Sequence, residues 1–101
     1  MPTAQAKLGD LVIAEAESWE EVEGNVYFPR SAVQDKASFV KTDTTTFCPW
    51  KGTANYYTIN TGETTVEDAA WYYAEPYEKA KNIKDHIAFC EFSSITASIL
   101  D

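Results

Sequence analysis

The apolar periodicity along this chain is mostly that of strands, clearest where apolar and polar residues alternate singly, and that period commits it to β-structure. From Glu21 to Phe28 the alternation is unbroken. Val22, Gly24, Val26 and Phe28 fall on one face and Glu21, Glu23, Asn25 and Tyr27 on the other, which predicts one half-buried strand ended by Pro29. Leu11 to Ala14 is a short β-branched run, and Ala54 to Ile59 reads as a strand followed by an Asn60-Thr61-Gly62 turn. Ala69 to Tyr73 is its hairpin partner, with Ala69, Trp71 and Tyr73 on one face. His86 to Phe92 is a further strand, and Ser93 to Leu100 either extends the sheet or frays. The hydroxyl run Thr42 to Thr46 predicts a loop, because such side chains compete for backbone hydrogen bonds, and Cys48-Pro49-Trp50-Lys51-Gly52 continues it. Two short helical segments are expected. One follows the Ser31-x-x-Gln34 capping box through Lys36, and the other opens at Pro76 and carries Tyr77, Ala80 and Ile83 at helical spacing. The sum is a mainly β, single small domain with five to seven strands.

A length of 101 residues admits one domain, and a 14% aromatic content supplies enough bulk to bury a core. The formal net charge of −8 repels a phosphate backbone, so nucleic acid is excluded as an expected partner. The charge is uneven. Glu15, Glu17, Glu20, Glu21 and Glu23 form a run that reads as a solvated face. Between Arg30 and Lys51, by contrast, Arg30, Lys36, Lys41 and Lys51 stand against only Asp35 and Asp43, and a small anion could be met there. Cys48 and Cys90 do not make a disulfide scaffold and are expected reduced. No apolar run has the length of a secretory signal core or a membrane span, so no membrane partner is expected and the expected location is cytoplasmic.

Special chemistry concentrates in Thr45 to Gly52. A cation three residues after Cys48 would favour its thiolate if the loop turned back, making Cys48 a nucleophile and Lys51 its activator. The competing reading is a small buried cysteine and an ordinary surface lysine. Thr45-x-x-Cys48 before Pro49 is similar to the peroxidatic loop of peroxiredoxins, but the βαβ scaffold that loop needs is missing from the strand order. Lys51 stands where a thioredoxin-type motif needs its second cysteine. His86 and Cys90, four apart on a strand, lie about 13 Å from each other, too far to share a zinc ion, and no metal or other cofactor is expected. No serine sits in a Gly-x-Ser-x-Gly context that His86 could activate. Arg30, the only arginine, stands where a strand meets a short helix, a place suited to clamping a carboxylate or phosphate as well as to a simple salt bridge.

Val26-Tyr27-Phe28-Pro29-Arg30, Cys48-Pro49-Trp50-Lys51-Gly52-Thr53-Ala54-Asn55-Tyr56-Tyr57, Ala70-Trp71-Tyr72-Tyr73 with Pro76, and Ile87-Ala88-Phe89 together make the chain resemble the family catalogued as domain of unknown function 427. The resemblance spans about residues 10 to 92 and leaves 93 to 101 as a strand or frayed tail. It implies a tent-like arrangement of twisted sheets and no established activity. The family carries a nucleotidyltransferase-like label, yet the sequence has no Asp-x-Asp pair or glycine-rich phosphate loop to hold a metal-bound triphosphate. The paired Cys-x-x-Cys knuckles of zinc-bearing tent folds are absent too.

The expectation is therefore a pocket where Arg30, Cys48, Lys51 and Trp71 converge, with Trp50, Gly52 and Tyr57 completing its walls, receiving a small anionic or polar ligand. Cys48 and Lys51 are the candidate catalytic residues. The alternative is a structural or interaction module in which the same residues only shape a loop. An open strand edge would also permit a homodimer.

Overall fold

The computed structural model describes residues 2–33, 37–90 and 95–100. It is mainly β, a single domain of three antiparallel sheets. The first sheet has the order β2-β1-β9, from β1 (Thr3–Leu8), β2 (Leu11–Ala16) and β9 (Ile95–Leu100). The second is the hairpin of β3 (Glu20–Val22) and β4 (Asn25–Tyr27). The third has the order β5-β6-β7-β8, from β5 (Ser38–Cys48), β6 (Gly52–Asn60), β7 (Thr65–Tyr72) and β8 (Ile87–Phe89).

Several expectations are corrected. The alternating run 21–28 is two strands, because Glu23 and Gly24 both take positive φ (55° and 81°) and form a tight hairpin turn. This is the backbone a two-residue antiparallel connection prefers, and the glycine read as an inward strand position is the turn residue. Thr42 to Cys48 is strand, not loop. Threonine is β-branched and suits a pleated surface, and the competing hydroxyls are satisfied across the sheet. Thr42 and Thr44 each donate to the Asp68 carboxylate at 2.9 Å. That carboxylate reaches over β6 and ties together irregularities in β5 (between Lys41 and Thr45) and in β7. The paired bulges bend the sheet. The expected helices are 3-10 turns, Arg30–Ala32 and Glu78–Ile83, the second interrupted by non-helical Ala80. The first begins after Pro29 with no side-chain cap, and the Gln34 and Lys36 ends of the proposed capping box and helix lie outside the described residues. The His86–Phe92 strand spans Ile87–Phe89 among the described residues. β1 was not anticipated, and β9 realises the sheet-extending option for the C-terminal segment.

Strand register sorts the third sheet into two faces. Tyr57 pairs with Ala70 and Ala70 with Phe89, while Ile59 and Phe39 lie further along the same face. These side chains pack with Ala4, Ala6, Ile13 and Ile95 of the first sheet as the main core. On the opposite face Tyr56, Trp71 and Ala88 stand in line. With Ala54 and Tyr73 they meet Tyr27 of the hairpin and Ala80 and Ile83 of the second 3-10 turn. Phe28 locks the hairpin to β8 by reciprocal backbone hydrogen bonds with Ile87 of 2.7 and 2.8 Å.

Candidate functional site

The Cys48–Gly52 turn lies on the hairpin side of the sheet. Lys51 is only 7% exposed, and its ammonium donates to the Glu23 carboxylate. The same nitrogen lies 5.4 Å from the Trp50 ring centroid and 5.7 Å from that of Tyr73, so two aromatic faces solvate the charge. Burial pushes the Lys51 ammonium down, but the hydrogen bond it donates to Glu23 and the phenols of Tyr27 and Tyr73 hold it above its usual value of 10.5. Glu23 is displaced the other way, below the usual 4.5, chiefly by the bond from Lys51. Such a lysine is a fixed cation with its charge already answered, the reverse of the depressed amine a nucleophilic lysine needs. Cys48 is half-buried and unbonded to a second sulfur, its strand position pairing with Gly52.

Gly52 has a φ of 111°, and a Cβ there would lie 3.4 Å from the Glu75 carbonyl oxygen. The turn is clamped against the 74–77 segment at this point, where the Tyr77 N–H donates to the Lys51 carbonyl at 2.9 Å. Trp71 belongs to the same face. Its indole N–H donates to the Tyr27 hydroxyl at 3.2 Å, and the two rings meet edge to face at 6.2 Å.

Arg30 lies elsewhere. It follows Phe28 and Pro29 past the β8 edge, where its guanidinium sits 5.8 Å over the Tyr57 ring, on the core-side face. The expected convergence of Arg30 with Cys48, Lys51 and Trp71 does not occur, because Tyr56 and Tyr57 are successive strand residues and point to opposite sides. A sequence-local view could not see this. Arg30 and Lys51 approach the sheet from its two sides.

Around Arg30 the structure assembles a different constellation. A cavity of about 370 Å³ is lined by Arg30, Lys41, Tyr57, Tyr72, Ala74 and Asp85. Lys41 enters from β5, where it is registered opposite Tyr57, and Arg30 enters from the β8 side. Tyr57 and Tyr72 are stacked at 4.7 Å and form the floor. Burial pushes the Tyr57 phenol up despite the opposing pull of Arg30, so it stays a neutral donor at ordinary pH. Neither cation is in an ion pair with another described residue. Asp85, the carboxylate at the rim, is 3.8 Å from the Lys84 ammonium. The expected helix end at Arg30 is a three-residue 3-10 turn, too short to contribute a helix dipole.

A second cavity of about 330 Å³, lined by Thr53, Asn55, Ala74, Glu75 and Tyr77, adjoins the first and shares Ala74 with it. Thr53, Asn55 and Tyr57 alternate along one face of β6, so the two hollows form one groove beyond the region covered by the first sheet. Of the expected wall residues only Arg30 and Tyr57 line this groove, while Gly52 borders it from behind. Lys41 was visible in the sequence only as one of four cations. The β5–β6 register gives it a place, and no local motif could have done so.

Among the described residues no three His, Cys, Asp or Glu side chains gather closely enough to hold a metal ion. No helix among them is long and apolar enough to cross a membrane. No curated protein matches the chain. A family model does match, over residues 3–97, and the chain belongs to the family described as Domain of unknown function (DUF427).

Proposed function

We propose that the protein is a small-ligand-binding domain whose groove receives an anionic group between Arg30 and Lys41. One observation carries this reading: in a chain of net charge −8, two cations flank a stacked tyrosine floor with no ion-pair partner among the described residues. A stack of rings beneath a pair of cations gives a ligand both a flat apolar contact and charge-assisted hydrogen bonds. Cys48, Trp50, Lys51, Gly52 and Trp71 enter as the residues that set the shape of the sheet behind the groove, and the reading includes no catalytic step. It also includes the tent-like placement of the sheets and a cytoplasmic location, the latter supported by two free cysteines.

The test is an isothermal titration with inorganic phosphate at low ionic strength. Arg30→Ala and Lys41→Ala should each weaken binding by about tenfold, the loss expected for one charge-assisted hydrogen bond. Wild-type protein that takes up no phosphate, or variants that bind it as well as wild type, would remove the proposal.

A second reading, self-association, is favoured by the edge position of β5, which carries Val40 and Phe47 at 54% and 64% exposure. It predicts a concentration-dependent dimer in sedimentation velocity that Phe47→Asp disperses.

A further inference from the structure

The groove is electrically polar along its length, and this restricts what fits it. Arg30 and Lys41 occupy one end and outnumber its single carboxylate, Asp85 at the rim; Glu75, beside Tyr77, occupies the other with no cation lining it. The Tyr77 ring meets the Phe47 ring edge to face at 6.4 Å, and both are exposed, so the acidic end is also the aromatic end. The span follows from the strand. Tyr57 and Thr53 are four residues apart on β6, which at the rise of an extended chain is about 13 Å. Between the ends, Asn55 and Thr53 turn toward the groove with side chains that bond to no other described residue.

We infer that the groove takes a short extended peptide with both termini free, about four residues long, its carboxylate between Arg30 and Lys41 and its ammonium at Glu75 against Tyr77 and Phe47. The inference rests on the anion-binding reading of the Arg30 end and adds the opposite end and the length. Both charges of such a zwitterion meet their complements. Its ammonium would gain the faces of two rings as well as a carboxylate. Its amide groups run past the Asn55 amide and the Thr53 hydroxyl, which can donate to and accept from them. A mononuclear anion such as phosphate fills only the first end, and a dianion of the same length would place a negative charge against Glu75.

Calorimetry with tetraglycine, N-acetyl-tetraglycine, tetraglycine amide and inorganic phosphate tests this. Tetraglycine should bind at least about tenfold more tightly than either capped form, because the acetyl cap removes the charge that meets Glu75 and the amide cap removes the charge that meets Arg30 and Lys41. Glu75→Gln should abolish the difference between tetraglycine and its N-acetyl form and leave phosphate binding as it was. Arg30→Ala should narrow the difference between tetraglycine and its amide, and the Arg30→Ala, Lys41→Ala double variant should abolish it. If phosphate binds but tetraglycine and N-acetyl-tetraglycine are equivalent, the peptide inference falls and the anion site stands. If tetraglycine amide equals tetraglycine, the carboxylate is not held between Arg30 and Lys41 and the inference falls; if the amide binds more tightly, the peptide runs the other way and the inference falls as well. If neither phosphate nor tetraglycine binds, both readings fall.

Discussion

The two faces of the four-stranded sheet carry similar ingredients in different states. On the hairpin side, Lys51 is buried, ion-paired to Glu23 and boxed by Trp50 and Tyr73. On the groove side, Arg30 and Lys41 stand over Tyr57 and Tyr72 with no carboxylate bonded to them among the described residues. A cation beside aromatic rings is thus not a site by itself. What separates scaffold from site is whether the charge is already answered: a buried cation must be paired to exist in a fold, whereas an exposed one left unpaired in a cleft is available to a ligand.

The contrast is broken most forcefully by truncating one cation on each side. Lys51→Ala removes a buried stem, an ion pair and two ring contacts, and should cost about 2–3 kcal/mol in urea unfolding, below the value for a fully buried pair because the Glu23 carboxylate is already half exposed to water. Lys41→Ala should change stability by less than about 0.5 kcal/mol. Equal effects would erase the distinction between the faces.

Gly52→Ala comes next. Its positive φ and the nearby Glu75 carbonyl predict a loss of about 1–2 kcal/mol by the same measurement, with the clamp between the turn and the 74–77 segment loosened. An unchanged midpoint would mean that the clamp does not hold the groove's far wall.

The buried pair also shapes the dependence of stability on pH. Glu23 is held below 4.5 in the fold, so its contribution is fully present above that pH and is lost as the pH falls through its folded value. Lys51 is held above 10.5, so its contribution is present below that pH and is lost as the pH rises through its folded value. Burial also raises Cys90 above 9.0, and Tyr73 above 10.0 despite the opposing Lys51 charge, which adds to the alkaline loss. Denaturant midpoints should therefore be level from about pH 5 to pH 9 and fall on both sides. In Lys51→Ala the acid limb should shrink; an unaltered limb would assign it to other carboxylates.

The smallest expected effect is that of Cys48→Ser, which should leave phosphate binding unchanged, since the thiol lies on the scaffold side. A loss of affinity there would return the site to the Cys48–Gly52 turn.

The period-two pattern made the β class, most strands and the Asn60–Gly62 turn legible in the sequence. Its failures have physical causes. Glu23-Gly24 fits an alternating pattern as well as it fits a turn, and only the positive φ values decide between them. The threonines of β5 read as loop because their hydroxyl partner, Asp68, is more than twenty residues away. β1 buries Ala4 and Ala6, too small to register as a hydrophobic face. Arg30 was found because it is unique and Tyr57 because it sits in a family motif, but their joining with Lys41 and Tyr72 depends on strand register across three strands. The same missing information let Lys51 and Arg30 be drawn together when adjacent tyrosines, 56 and 57, place them on opposite sides.

If the open face binds and the closed face supports, phosphate should perturb one side of the sheet and leave the other unchanged. Chemical-shift mapping of the isotopically labelled protein during a phosphate titration tests it most directly. Saturable shifts are expected at Arg30, Lys41, Tyr57 and Tyr72, and they should vanish in the Arg30→Ala, Lys41→Ala double variant. Shifts centred instead on Cys48, Trp50 and Lys51 and undiminished in that variant would contradict it.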